Sequence, residues 1–432
     1  MSSRRTLPKG RLERITQLAR MGAGAGLGYV TGKSSEMLAE QATVVLSSMR
    51  GLAAKVGQMA SSFDGLLPES VEAPFANALA RLRNHTDTSP YDEIVAVIES
   101  DLRGSITTLF QRFDPMPMAS ASIGQVHRAT LPDGRQVAVK VQHPGIDRAM
   151  ESDLSNVRLI ERLAGAVIPK GLDSSRVYEE VSARFREELD YRIEAENQTR
   201  FIQLHRTTPG VVIPDVIRSH SARRVITTSL CEGRSFDEML VGSDEAARRE
   251  FATTLWRFVF RSILVGGEFN ADPHAGNYLF GQAPQIVFLD FGCIQRLSPA
   301  RQLAARRIHA AAANHDESGF TAALRDLLPT RGGAFEAFVS KFTRLAFEPV
   351  FASPFRMSTE YLRRLLFQAR DGKLEVLRRR ESITPFPPEL ALMNRLQFGF
   401  YSLLSKLNVE VDYAAIDRAI LAEDEDRLNQ AG

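Results

Sequence analysis

Residues Asn270–Gly292 constrain this chain more than any other stretch. They read N-A-D-P-H-A-G-N-Y-L-F, then Gly281-Gln282-Ala283-Pro284, then Q-I-V-F-L-D-F-G. Tyr278-Leu279-Phe280 and Ile286-Val287-Phe288-Leu289 have the composition of two short strands, and the Gly-Gln-Ala-Pro between them is turn chemistry. A hairpin of that length brings Asn277 and Asp290 to one mouth. Carboxylate and amide oxygens converging in this way suit a hard cation such as Mg²⁺.

Asp272-x-x-x-x-Asn277 followed by Asp290-Phe291-Gly292 is the layout of a kinase-type phosphoryl-transfer site. A loop Asp serves the acceptor, a loop Asn holds metal, and the Asp of Asp-Phe-Gly holds Mg²⁺. Taken singly, these residues have plainer explanations. Asp290 can end a strand, and Asp272 can cap a turn. Their order, with a strand pair between them, is what favours phosphoryl transfer.

A nucleotide-binding pattern lies upstream. Met118–Val126 precedes a strand at His127–Leu131, a turn at Pro132-Asp133-Gly134, and a second strand in Gln136-Val-Ala-Val-Lys140-Val-Gln142. In kinases the Lys of such a strand contacts the nucleotide phosphates and pairs with a helix Glu. The loop before it is normally glycine-rich, so that backbone amides can approach phosphate. Here only Gly124 remains, in a small-residue loop of Ala119, Ser120, Ala121 and Ser122. Ser174–His205 reads as one long charged helix that carries the candidate acids. Glu188 and Glu194 are six residues apart, about 120° around a helix, so they suit two different partners. Glu187, Asp190 and Glu194 share a face, which leaves open which acid meets Lys140.

Helices are also expected at Ser34–Ser62, Ser70–Leu82, Tyr91–Leu102 and Ser243–Gly267. The last is a buried helix stopped by Gly266-Gly267 that leads into the Asp272 loop. Beyond Ser298 the pattern is helical at Pro299–Asn314, Ser318–Leu328, Gly333–Phe347, Ser358–Gly372 and Pro388–Lys406. Phe398, Phe400, Tyr401, Leu403 and Leu404 fit a buried core helix better than a lipid-facing patch. The end, Leu421–Gly432, is acidic and polar and reads as a frayed tail. Near the start, M-G-A-G-A-G-L-G-Y-V-T-G-K-S resembles a P-loop, but the required spacing puts a glycine where Leu27 stands.

The chain has 432 residues, 44% of them apolar and 25% charged, so a packed protein of two or three units is expected. A net charge of +2 gives no case for nucleic acid as a partner. Cys231 and Cys293 are too few for a disulfide framework or a cysteine zinc site, and fit a reducing compartment. No apolar run approaches the ~20 residues that span a bilayer. Arg4, Arg5, Lys9, Arg11, Arg14 and Arg20 make the N-terminus basic. That suits a transit peptide, a membrane-surface helix or a plain basic tail equally.

Together these motifs resemble the UbiB-like atypical kinase family, also called ADCK or AarF-type proteins. The resemblance runs from about Ser35 to Tyr413. It rests on Lys55-x-Gly57-Gln58, Ala119-Ser-Ala-Ser-Ile-Gly-Gln-Val126 and Val137-Ala-Val-Lys140. It continues through Glu188-x-Asp190, Glu194-Ala195-x-Asn197, Asp272-Pro-His274-x-Gly276-Asn277, Asp290-Phe-Gly292 and Phe386-Pro-Pro-Glu-Leu390. The Lys-x-Gly-Gln element is the most specific of these. The resemblance implies an α+β, two-lobed, protein-kinase-like fold with an N-terminal helical extension and a helical C-lobe. The boundaries it suggests are a basic, Gly-rich segment at 1–33, the extension at 34–105, an N-lobe at 106–230, a C-lobe at 231–415 and a polar tail at 416–432.

The same resemblance implies roles. Lys55 and Gln58 of the extension would fold over the site, with Lys55 paired to Glu188. Glu194 would pair with Lys140, and Asp272 would be catalytic. Asn277 and Asp290 would hold Mg²⁺, and residues 119–124 would cover ATP or ADP. An alanine-rich loop is associated with restrained nucleotide handling, and Ser120 departs from it. The implied function is an ATP- and Mg²⁺-dependent atypical kinase or ATPase. It would support ubiquinone or other isoprenoid-lipid metabolism peripherally at a membrane, with protein partners from a lipid-biosynthesis complex. Cytoplasm and an organelle interior both fit. Two alternatives stand beside it. One is a small-molecule phosphotransferase of the aminoglycoside or choline kinase type, which shares Asp272, His274 and Asn277 but lacks the extension. The other is a non-catalytic nucleotide-gated adaptor.

Overall fold

The computed structural model describes residues 88–121, 123–151, 183, 186–328, 332–378 and 388–431. The expected helices at Ser34–Ser62 and Ser70–Leu82, with Lys55 and Gln58, lie outside these residues, as does Ser122. The chain divides into two units. One takes the residues up to Ile193 and Ile217–Ser229, and the other takes Glu194–Val216 and everything from Leu230.

The first unit is a helix on a sheet. Helix α1 (Tyr91–Leu102) follows Pro90, carries Asp92 and Glu93 in its first turn, and ends where Arg103 turns left-handed. Acids in the first turn complement the helix dipole. Ile94, Val97 and Ile98 form its buried stripe, the spacing of one helix face. They pack on strands β3 (Gly124–Thr130), β4 (Gln136–Gln142) and β6 (Val225–Ser229), where Ala129, Val137, Val139, Val141 and Val225 point inward. The alternation in Val137-Ala-Val-Lys-Val follows from the two-residue period of a strand. It puts Val137, Val139 and Val141 in the core and turns Lys140 to the other face. The strand order is β1-β3-β4-β6, with β1 at Arg112–Phe113, and β2 (Ala119–Ser120) also pairs with β3. All pairings are antiparallel, and Lys140 lies opposite Val126 and Ile226. Helix α1, expected within the N-terminal extension, is therefore part of this sheet's core. Asp101 fixes it further by accepting from the Arg224 backbone N–H and guanidinium at 2.6 and 2.9 Å.

The second unit begins within helix α2 (Tyr191–His205). Here the structure corrects the expectation of an unbroken helix from Ser174 to His205. Leu189 and Asp190 are not helical. Asp190 accepts from the Arg192 backbone N–H at 3.1 Å and from its Nε at 2.8 Å. Such local side-chain bonds compete with helix propagation. Glu187 and Asp190 therefore do not share a helix face with Glu194, and the 120° offset between Glu188 and Glu194 is not a helical relation.

Helices α3 (Phe236–Gly242) and α4 (Glu245–Arg261) follow, each opened by a side-chain cap from Ser235 or Asp244. One wider turn, Ser262–Gly266, ends α4, and Gly267 takes a φ of 65°. A three-stranded sheet has the order β5-β9-β8, from Val211–Val212, Ile286–Phe288 and Tyr278–Phe280. The expected hairpin is present, with Tyr278 opposite Phe288 and Phe280 opposite Ile286. Strands β7 (Glu268–Asn270) and β10 (Ile294–Arg296) pair antiparallel around it in sequence.

The rest is helical, including α5 (Pro299–Ala313), α6 (Glu317–Leu327), α7 (Gly333–Ala346), α8 (Thr359–Arg378) and α9 (Pro388–Leu407). Phe400, Tyr401, Leu403 and Leu404 are buried, as a core helix requires. The expected frayed tail is instead helix α10 (Tyr413–Ala431). Tyr413, Ile416, Asp417 and Ile420 recur at helical spacing and are buried. Asp417 is satisfied there by Trp256 Nε1 at 2.8 Å and His309 Nδ1 at 2.6 Å. No helix among the described residues is long and apolar enough to cross a membrane.

Candidate functional site

In the second unit, strand β7 delivers the chain to Asp272 and hairpin β8–β9 returns it to Asp290. Asn270, the last residue of β7, joins the two. Its Nδ2 donates to the main-chain carbonyl of Asp290 at 2.6 Å, and its Oδ1 accepts from the Asp272 backbone N–H at 3.0 Å. Across the loop, Asn277 Nδ2 donates to the Asp272 carbonyl at 3.0 Å and to Asp272 Oδ2 at 3.2 Å. His274 Nδ1 accepts from Gly276 N–H at 3.0 Å and starts the single turn Ala275–Asn277 that presents Asn277. Pro273 is braced from behind by α9. A Cβ on Gly399 would come within 2.6 Å of its ring.

Asp290 Oδ1 accepts from Gly292 N–H at 2.9 Å, which orients the carboxylate. The next carbonyl, Phe291 O, accepts from Asn197 Nδ2 on α2 at 3.0 Å. Asn197 is itself held by Arg200 at 2.5 Å, and Arg200 is paired with Glu268 of β7 at 3.2 Å. A Cβ on Gly292 would lie 3.3 Å from Asp290 Oδ1 and 3.7 Å from Glu194 Oε2. The buried Glu194 carboxylate thus adjoins the Asp-Phe-Gly turn.

Burial pushes the Tyr278 phenol well above its usual range, and the charges of Asp272 and Asp290 raise it further. The donor set fits Mg²⁺. Asn277 turns its NH₂ toward Asp272, so its amide oxygen is the ligand it would offer. Asp290 would offer carboxylate oxygen. Among the described residues no three His, Cys, Asp or Glu side chains cluster as a metal site. An ion here would draw its remaining oxygens from phosphate and water.

In the first unit, Lys140 lies on the face of β4 opposite the core. Its Nζ sits over the Tyr191 ring, 5.1 Å from the centroid. Ala119 and Ser120 form the exposed β2, and Ala121 N–H donates to Gly124 O at 2.8 Å, closing a tight turn. Gly124 has a reason of its own. A Cβ there would collide with the Val141 carbonyl oxygen and lie 2.9 Å from Tyr191 Oη. Glu188 is half-buried at the break before α2.

The structure therefore brings Asp272, Asn277, Asp290 and Glu194 into one unit, and Lys140 with Ala119, Ser120, Ala121, Gly124 and Glu188 into the other. Asn270, Tyr191 and Tyr278 had no assigned role in the sequence. An asparagine two residues before Asp272, and aromatics beside Asp190 and Asn277, carry no motif that would have marked them. Asn197 was part of a quoted motif but had no assigned contact.

Residues 81–324 match the model of the ABC1 atypical kinase-like domain. The chain is 28% identical over 332 residues to the mitochondrial atypical kinase COQ8 of Saccharomyces cerevisiae, covering 73% of this chain and 65% of that protein. It is 29% identical over 309 residues to the mitochondrial atypical kinase COQ8B of Danio rerio, covering 67% and 49%. The chain thus spans about half to two thirds of these relatives' own length. Among solved structures, Rv3197 of Mycobacterium tuberculosis, solved with erythromycin, superposes with a TM-score of 0.62 at 23% identity, covering 95% of this chain and 98% of that one. That likeness establishes a shared kinase-like fold of mixed helix and sheet.

Proposed function

The chain belongs to the ABC1 atypical kinase-like family, and we propose that it is an ATP- and Mg²⁺-binding atypical kinase or ATPase. We place its role in ubiquinone or other isoprenoid-lipid metabolism, peripherally at a membrane surface and with protein partners there. The observation that carries the catalytic reading is Asn270, which ties the loop of Asp272 and Asn277 to the strand end bearing Asp290. Similarity to mitochondrial atypical kinases supports the setting.

In this reading Asp272 accepts the proton of the attacking hydroxyl or water. Asn277 holds one of its oxygens through Nδ2. Asn277 and Asp290 would hold Mg²⁺, which, when bound, offsets charge on the transferring phosphoryl group. Lys140 binds phosphate, with Glu194 as its proposed partner. Ala119, Ser120, Ala121, Ser122 and Gly124 cover the nucleotide. The roles of Lys55 and Gln58 in the extension, and of Glu188 as the partner of Lys55, follow from the family resemblance.

Phosphate release from ATP with Mg²⁺ tests this, with and without anionic liposomes, in wild type and Asp290→Asn. Turnover that rises with liposomes and vanishes in the variant is the expected result. Nucleotide binding without turnover under any lipid condition would overturn the ATPase reading and favour the adaptor.

A further inference from the structure

Tyr191 is the first residue of α2, three residues before Glu194, and its side chain is buried at 2% exposure. Its ring faces both nucleotide elements of the first unit. Lys140 Nζ lies 5.1 Å from the ring centroid, and the phenol oxygen lies under Gly124, 2.9 Å from where a Cβ would stand. Its backbone N–H donates to Arg223 O at 2.8 Å, in the turn that enters β6. Strand β6 is the neighbour of β4, with Ile226 opposite Lys140. The ring is therefore anchored to the same sheet that carries the lysine.

We propose that Tyr191 is a positioning residue for Lys140. The proposal rests on the nucleotide-binding role assigned to Lys140 above. A lysine has four rotatable carbons and a point charge, so a strand alone does not fix where its ammonium sits. An aromatic face within about 6 Å attracts that ammonium. The face of Tyr191 holds Nζ at a set height beside the 119–124 turn, while its hydroxyl end leaves room only for a glycine at 124. Lysine and loop are spaced by the same ring, so a triphosphate meets both at a fixed separation. The restrained loop keeps a glycine here because of the ring and the Val141 carbonyl, whether or not backbone amides approach phosphate.

The test separates geometry from affinity. First, lysines are reductively ¹³C-methylated in the intact chain, with the Lys140 signal assigned through Lys140→Arg. The ring current should shift that signal upfield, and Tyr191→Leu should return it to the position of ordinary surface lysines, while Tyr191→Phe keeps it. Second, Phe and its mono-, di- and trifluorinated forms are placed at 191. Fluorination drains the ring face without changing its shape. Mg-ATP affinity should fall stepwise across the series by roughly three- to thirty-fold in total. In Lys140→Met the series should be flat. An unshifted Lys140 signal, or an affinity series equally steep without Lys140, would overturn the proposal. A shifted signal in a protein that binds no nucleotide would sink the functional reading alone. The fluorinated forms remain informative if Tyr191→Leu does not fold.

Discussion

Asn270 gives its side-chain amide to the main-chain carbonyl of Asp290 at 2.6 Å, while its oxygen takes the backbone N–H of Asp272. One neutral side chain thus sets the spacing between the proposed acceptor-side carboxylate and the proposed metal ligand. Asn270→Ala removes both bonds without touching either carboxylate. Misplacement of reacting groups by about 1 Å costs on the order of 100-fold in rate. We expect ATP turnover to fall by roughly 10- to 100-fold, with thermal unfolding lowered by only a few degrees. Turnover within twofold of wild type would show that the spacing is set elsewhere.

The neighbouring carbonyl, Phe291 O, depends on Asn197, which Arg200 and Glu268 hold in place. Asn197→Ala leaves that buried carbonyl without its donor, at about 1–3 kcal/mol. Hydrogen exchange at Phe291–Cys293 should quicken well beyond any change in the helices of the same unit. Uniform quickening throughout the unit would mean a global loss instead.

Two glycines of the first unit should respond differently to alanine. At Gly124 the added Cβ meets the backbone oxygen of Val141, which has no freedom to retreat from a paired strand. Gly134 sits in open space and is strained only by its φ of 87°. Gly124→Ala should cost roughly 1–3 kcal/mol or more, and Gly134→Ala about 1 kcal/mol. Urea unfolding of the two variants compares them directly, and a smaller loss at position 124 would contradict the packing described.

His205 is buried between Phe201 and Phe258, and its ring nitrogens bond to Thr208 and Ser262. Burial first, and the Arg261 charge second, push its pKa down from 6.5 to about 3. The unfolded chain therefore binds this proton below about pH 6.5, while the folded chain refuses it until about pH 3. Stability contributed by the neutral ring is full above pH 6.5 and is lost as pH falls through that window, at about 1.4 kcal/mol per pH unit. Between pH 7 and 5 the loss from this residue is about 2 kcal/mol. His127, also lowered chiefly by burial, acts in the same direction. Denaturant unfolding of His205→Gln at both pH values should show a visibly smaller difference than wild type. An unchanged difference would refute the assignment.

Asp417 on α10 receives Trp256 Nε1 and His309 Nδ1, both deep in the second unit. Asp417→Ala leaves these groups without their acceptor at roughly 1–3 kcal/mol each, whereas Asp417→Asn keeps an acceptor oxygen for one of them. Calorimetry should rank wild type above Asn above Ala. If all three melted together, α10 would not be part of the cooperative core.

The motifs and their order were legible in the sequence. The proposed phosphoryl transfer would draw on oxygen donors at Asp272, Asn277 and Asp290, and the intervening hairpin is local, so strand composition and turn residues announce it. Strand β4 was equally plain, because Val137, Val139 and Val141 recur at every second position with Gln136, Ala138, Lys140 and Gln142 between and around them. The helix break was not. Glu188, Leu189 and Asp190 continue a helical pattern, but Asp190 turns onto Arg192 at the point where the helix breaks. Helix α10 was hidden because Asp417 and the charged residues after it read as solvated, when Asp417 is a buried polar group with two partners.

By itself, then, the sequence determined which chemical groups this protein carries and in what order, because local chemistry and periodicity are written in neighbouring residues. The tertiary structure alone decided which neutral groups hold them. Asn270 reaches Asp290 across 20 positions and Asn197 reaches Phe291 across 94. Tyr191 meets Lys140 from a different element altogether. Single hydrogen bonds and one ring face leave no periodic trace in a sequence, and they form only once burial has brought distant segments together and made an unpartnered polar group costly.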